Sequence, residues 1–548
     1  MMMKYVLLGL LLGVSSMPHA WAEESSFKPT QGMVVAAQAA AAEAGCDVLQ
    51  QGGNAFDAAA AVALALGVVE PGSSGIGGGG FFLLYQAKTQ RLVMVDGRET
   101  SPVLAGHGEV YDHYSSVDGA ASAAVPGLLA AVDHLLRHYG HLSRAQVVAR
   151  AASLARNGFV AGERLQRMLQ WRGSAFNPAA RAIFLPADGL IRQQALAETL
   201  QRYSKFGVDD FYRGETARRL VADMKRDGGL IRLADLAAYR AIEREPVMTQ
   251  WHGYRIASAA LPSSGGIVLA EVLGILQHDD LASMDELARK RLLIEAMRRA
   301  YKDRNESLGD SDFVTIPKLL QPQRLQALRH SIGKRATASA SLGDAPEPAG
   351  NGRDTTHFSI IDRDGNMVVA TLSINYAFGS AYVSPATGIL LNDEMDDFAT
   401  QPGKPNAYGL VQGEANAVAP GKRMLSSMTP TMIFGPERVF LVGTPGGSRI
   451  ISMVLLASMG FMLHDGEPES WVQRARYHHQ FLPDEVQYEA GAFSPQALQT
   501  MEAWGYTMKQ KRPYGNMQAI VCDKKSSQCQ GISDHRGEGV ALPEAVKR

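Results

Sequence analysis

Cysteine is scarce in this sequence, with three residues in 548, so disulfides cannot be the main scaffold of the fold. Neither charge sign prevails: Lys+Arg number 54 and Asp+Glu 55, and no global field points to nucleic acid or a membrane surface. A membrane-crossing helix needs roughly 20 consecutive apolar residues. The run from Tyr5 to about Val14 supplies about half of that, and no later segment sustains such a run. Internal repeats at solenoid or propeller periods are missing too. The glycines at 75 and 77 to 80 are not followed by Gly-Lys-Ser/Thr, which argues against a phosphate loop. His478-His479 lacks metal-ligand spacing and reads as structural.

What is present starts with Lys4, the short apolar run, and Ala20-Trp21-Ala22 ahead of a polar stretch. A charged start, an apolar core and an A-x-A end predict a cleavable secretory signal over residues 1–22 and an exported, soluble mature protein. Hydrophobic residues at 46% and charged residues at 20% are ordinary for a globular chain with a sizeable core. Length alone would divide such a chain into three or four domains. Cys522 and Cys529 flank the polar turn DKKSSQ, a spacing that a hairpin-like loop could close into a disulfide. Cys46, among alanines in a helical pattern, reads as a small buried hydrophobe.

From Gly32 the pattern predicts a strand, an alanine-rich helix, a Gly-Gly-Asn turn, a second alanine-rich helix, and a glycine run ending in an apolar strand. Residues from about Pro126 to Ala340 read as mostly helical. Between about Arg335 and Arg353 the composition turns small and polar, as in a linker. It leads straight into DTTHFSIIDRDGNMVVATLSI, two β-rich runs joined by a turn whose Asp364-Gly365 signals a hairpin.

A Thr-Thr pair opening a strand is by itself weak evidence of chemistry. Together with GGNAFDAAAA, DGRETSP, GILLNDEMDDF, GKRMLSSMTPT and GTPGGSRI, in that order along the chain, DTTHFSIIDRDGN carries a specific resemblance. The sequence resembles the gamma-glutamyltransferase family of N-terminal nucleophile hydrolases, from about Gly32 to Pro126 and most strongly from Thr355 to about Ser533. The resemblance implies an α+β fold, a four-layer αββα sandwich with largely antiparallel sheets. A large chain (23–354) and a small chain (355–548) would form that sandwich jointly as a heterodimer after self-cleavage between Asp354 and Thr355.

The freed Thr355 would be the nucleophile. Its own α-amine, with a reference pKa of about 7.7–8.0, would serve as base. By the same resemblance Ser373 orients Thr355, with serine where the family often has threonine, and Gly446 and Gly447 supply backbone N–H groups to the oxyanion. A γ-glutamyl group presents both a carboxylate and an ammonium. Arg98, Ser426 and Ser427 fit the first, and Asn375, Glu394 and Asp397 the second. The segment from about Ala399 to Arg423 would cover the pocket as a lid with Tyr408 at its tip. The glycine run would allow close backbone packing near the active site. The expected reaction passes the γ-glutamyl group of glutathione to water or to an amino acid or peptide amine, with no cofactor and no metal. Two alternatives are a glutaryl-cephalosporin acylase of the same fold and a non-catalytic exported binding protein.

Overall fold

The structure is a computed structural model that describes residues 27–343, 354–400 and 412–545. The leader segment 1–22, part of the linker and Tyr408 lie outside the described residues.

Side chains that alternate along a strand must find two different environments. In Thr356–Ile361, Phe358 and Ile360 join one apolar cluster with helices, while Ile361 joins another between two sheets. The same division holds in Gly79–Gln86, where Phe82 and Leu84 face helices and Leu83 faces the second sheet. These alternations build a seven-stranded sheet in the order Val540–Pro543, Met33–Ala36, Thr356–Ile361, Met367–Ser373, Gly79–Gln86, Arg91–Asp96, Ile242–Arg244. Beneath it lies a six-stranded sheet in the order Gln528–Ser533, Gln518–Asp523, Arg438–Gly443, Thr431–Phe434, Tyr254–Ser258, Val247–Trp251. Every neighbouring pair in both sheets is antiparallel.

Helices cover the outer faces and complete the αββα order. Ala39–Gln50 and Ala55–Val69 lie on the first sheet, and Gly265–Ile275, Glu286–Ser307 and Ile450–Met462 on the second. Ala55–Val69 is buried at every residue, which alanine makes possible because it adds no bulk to a helix packed on all sides. Its start is fixed by Asn54, whose Oδ1 accepts from the amides of Phe56 (2.9 Å) and Asp57 (3.0 Å), while Asp57 accepts from the Asn54 amide (3.0 Å). The hairpin before the second central strand closes on Asp362, whose Oδ1 accepts from the amides of Asp364 and Asn366, each at 2.9 Å. Gly365 there has φ +86°, a conformation glycine adopts without strain.

Two expectations about cysteine hold. Cys522 and Cys529 sit opposite each other on adjacent strands and are bonded. Cys46 is buried, and burial, reinforced by Asp47, pushes its thiol up to about 12.

The region read as mostly helical is so, from Leu128–His138 to Pro322–His330, but short strands interrupt it. Ile242–Arg244, Val247–Trp251 and Tyr254–Ser258 are strands, and they supply edges to both sheets. The first two are edge strands with half-buried Arg, Glu and Thr and an exposed Gln, so the alternation that betrays a strand is weak there.

Candidate active site

Thr355 stands at the mouth of the strand Thr356–Ile361, and the register that pairs Leu372 with Thr356 sets Ser373 beside it. Its Oγ1 donates to the Asp354 carbonyl oxygen at 2.7 Å and lies 3.4 Å from Ser373 Oγ. The Asn375 amide donates to Ser373 Oγ at 2.8 Å, which occupies a Ser373 lone pair and leaves its proton to point at Thr355. The glycine run makes this closeness possible: a Cβ on Gly78 would lie 2.2 Å from the Ser373 carbonyl oxygen.

Residues on both sides of Thr355 are held by one ion pair. Thr356 Oγ1 donates to Glu70 Oε2 at 2.6 Å, Arg164 meets Glu70 at 3.3 Å, and the same guanidinium reaches the Asp354 carboxylate at 3.5 Å. Burial raises the Glu70 pKa, and Arg164 opposes the rise. Sequence reading missed both residues. The only signal was a carboxylate standing between the end of an apolar helix and the glycine run, in GVVEPGSSG.

The turn from Arg438–Gly443 into Ile450–Met462 carries Gly446 at φ +144° and Gly447 at +58°. Side chains are strained at such angles, and Gly447 borders the same cleft as Thr355. The amides here open a helix of 13 residues, so backbone donors and the helix dipole both favour negative charge at that end. His357, two residues beyond the nucleophile, takes no part. Its ring fills the space between the sheets, where a Cβ on Gly443 would come within 2.2 Å of it, and its Nδ1 pairs with Thr371 Oγ1 at 2.8 Å. Burial pushes its pKa down to about 3, so the imidazole is neutral.

Across the cleft lies a charged wall. Arg98, fully buried, meets Glu394 at 2.6 Å, Glu99 at 3.5 Å and the Asp397 carboxylate. Its Nε donates to the Met424 carbonyl at 3.3 Å. Burial outweighs Arg98 for two of these acids, pushing Glu99 up to about 8 and Glu394 well above the usual carboxylate range. Asp397 borders the cleft, whereas Glu394 is fully buried at Arg98 and does not. Gln412 and Asn416 donate to the Asp397 carbonyl at 3.0 and 2.7 Å and fix its backbone.

Ser426 and Ser427 border the cleft as expected. So does Arg304, which sequence reading missed. It sits on Glu286–Ser307, 1% exposed, and its Nη2 donates to Ser427 Oγ at 2.9 Å. Thr355, Ser373, Asn375, Arg98, Asp397, Ser426, Ser427 and Gly447 therefore converge on the cleft, while Glu394 and Gly446 do not border it. His478 and His479 are buried structural residues: His478 pairs with Ser452 Oγ and Gln480 Oε1, each at 2.9 Å, and His479 with Asp484 at 3.3 Å.

Comparison with known proteins agrees with this geometry. A family model described as gamma-glutamyltranspeptidase matches residues 41–544. A protein named glutathione hydrolase proenzyme from Pseudomonas sp. (strain A14) is 39% identical over 533 residues, spanning 93% of this chain and 92% of its own. Among solved structures, a cephalosporin acylase from Bacillus halodurans is similar at a TM-score of 0.83 and 27% identity, covering 96% of this chain and 99% of its own. Gamma-glutamyltranspeptidase from Helicobacter pylori is similar at a TM-score of 0.54 and 31% identity, covering 59% of this chain and 97% of its own.

Proposed function

This chain belongs to the gamma-glutamyltranspeptidase family and is a gamma-glutamyltransferase and glutathione hydrolase, and we propose on that premise that Thr355 first cuts its own chain and then carries the γ-glutamyl group. The observation that supports this most is the 2.7 Å contact between Thr355 Oγ1 and the carbonyl oxygen of Asp354. In the first step Oγ attacks the Asp354 carbonyl carbon, the C–N bond breaks, and the nitrogen takes up a proton as the α-amine of Thr355. Water then hydrolyses the resulting ester and leaves Asp354 with a new carboxylate. The attack gains the high effective concentration of a held reactant. A solved relative of which nearly the whole chain matches just over half of this one fits a protein cut in two.

In the mature enzyme the α-amine takes the Thr355 hydroxyl proton as Oγ attacks a γ-glutamyl amide, then passes it to the leaving amine, which from glutathione is Cys-Gly. Gly446 and Gly447 donate to the oxyanion. Water or an acceptor amine resolves the γ-glutamyl ester. Donor recognition is an exchange of partners. The substrate's α-carboxylate takes the place of Asp397 on Arg98, and its ammonium binds the released Asp397 together with Asn375. A zwitterion thereby replaces an internal ion pair without burying unpaired charge. Export under the leader 1–22 and a periplasmic location belong to the same reading, and the Cys522–Cys529 bond suits an oxidising compartment.

The likeness to a cephalosporin acylase favours one rival, cleavage of glutaryl amides. Glutaryl has no ammonium for Asp397. Competition between γ-glutamyl and glutaryl p-nitroanilides decides: higher kcat/KM for γ-glutamyl supports the proposal, and higher kcat/KM for glutaryl overturns it.

A further inference from the structure

The helix Glu286–Ser307 carries three buried arginines. Arg299 is neutralised by Glu295 at 2.7 Å, and Arg298 by Asp484. Arg304 differs. Among the described residues no carboxylate lies within ion-pair distance of it, and its side chain is spent on neutral oxygens: Nε on Ser264 Oγ at 3.0 Å, Nη1 on Asn305 Oδ1 at 3.1 Å, Nη2 on Ser427 Oγ at 2.9 Å. Burial pulls its pKa down to about 10, which still leaves it cationic at neutral pH. Asp397, in the same cleft, opposes that shift from beyond ion-pair distance; a buried cation with no paired counter-ion is costly, and a fold that keeps one in a cleft has a use for an anion there.

The surrounding bonds give that use a direction. Ser264 Oγ accepts from Arg304 and donates to the Ser426 carbonyl at 2.7 Å, so one hydroxyl ties the arginine to the Ser426-Ser427 turn. With Nη2 donating into Ser427 Oγ, the Ser427 proton is turned away from Arg304, and the side chain that borders the cleft becomes a donor polarised by a positive charge behind it. Arg98, by contrast, is already in ion-pair contact with three acidic side chains.

We propose that Arg304 is a positioning residue for donor recognition: acting through Ser427, it supplies the positive charge that selects donors bearing an α-carboxylate. This rests on the γ-glutamyl reading above and adds a residue to it. Arg98 and Arg304 then share the carboxylate, one by direct contact and one through a hydroxyl.

The test uses the mature enzyme and two competitive inhibitors of γ-glutamyl-p-nitroanilide hydrolysis, L-glutamate and 4-aminobutanoate, which differ only in the α-carboxylate. Arg304→Gln should weaken L-glutamate by about 10- to 100-fold. It should leave the Ki of 4-aminobutanoate within about twofold and raise KM for the anilide, which bears the same α-carboxylate, by more than it lowers kcat. Arg304→Lys should recover part of the loss. Should Arg304→Gln fail to fold or mature, Ser427→Ala carries the same test with the same selective loss expected. An equal loss for both inhibitors, or a fall in kcat with both Ki values unchanged, overturns the assignment. Absence of anilide hydrolysis by the wild type would instead refute the γ-glutamyl reading itself.

Discussion

On the strand side of the cleft, Thr355, Ser373 and the backbone amide of Asn375 meet through uncharged hydroxyl and amide contacts. On the facing side Arg98, Glu99, Glu394 and Asp397 form a buried ion cluster. The contrast separates two tasks. A nucleophile that must lose and regain a proton is served by neutral neighbours that fix its geometry, while a zwitterionic substrate is served by charges that can change partners. Damage to the neutral side should therefore appear in kcat and in maturation. Damage to the charged side should appear in KM and leave self-cleavage intact.

The largest effect expected from breaking this division is at Arg98. Arg98→Gln should mature normally yet raise KM for a γ-glutamyl anilide by about 100- to 1,000-fold, as removal of one partner from a buried charge pair does. It should also lose about 3–5 kcal/mol of stability, because a buried cluster of three acidic side chains loses its cation. The loss has a pH sign. Glu99 is pushed from 4.5 up to about 8 in the folded chain, so its contribution is present at low pH and fades as pH rises through 8. Melting curves of Arg98→Gln at pH 6 and pH 9 should therefore diverge from wild type more at pH 9.

A smaller effect is expected from the ion pair that grips the chain around Thr355. Arg164→Gln releases Asp354 and unsettles Glu70. It should slow self-cleavage by about 10- to 100-fold, the cost of a small misplacement of reacting groups. Protein that has matured should keep the wild-type KM, and a gel time course with kinetics on the cut fraction checks both. Smaller still, Ser373→Ala removes one neutral hydrogen bond to the nucleophile and should lower kcat by about 3- to 10-fold. A KM effect larger than the kcat effect there would erase the distinction between the two sides.

The two sides were also unequally readable before the fold was known. Thr355, Arg98 and Asp397 lie in local motifs whose residue types match their chemistry, so resemblance could locate them. Arg304 sits in a helix with several other arginines, and nothing in the one-dimensional pattern separates an arginine with a counter-ion from one without. Arg164 and Glu70 lie far from Asp354 in sequence, and only tertiary packing joins them to it. The central hairpin and the alanine helices were legible because turn and cap chemistry is local. The strands between Ile242 and Ser258 were obscured because edge positions leave polar side chains on both faces. The four-layer order followed from resemblance, since alternation alone marks two faces of a strand without naming what covers them.

The central claim, that the bond between Asp354 and Thr355 is cut by Thr355 to expose the nucleophile, is tested most directly by intact mass and N-terminal sequencing of purified wild type and Thr355→Ala. Wild type should yield two chains, the smaller beginning Thr-Thr-His-Phe, and the variant a single inactive chain. An uncut wild-type chain that hydrolyses γ-glutamyl amides, or a Thr355→Ala chain that is still cut at this bond, would contradict that claim.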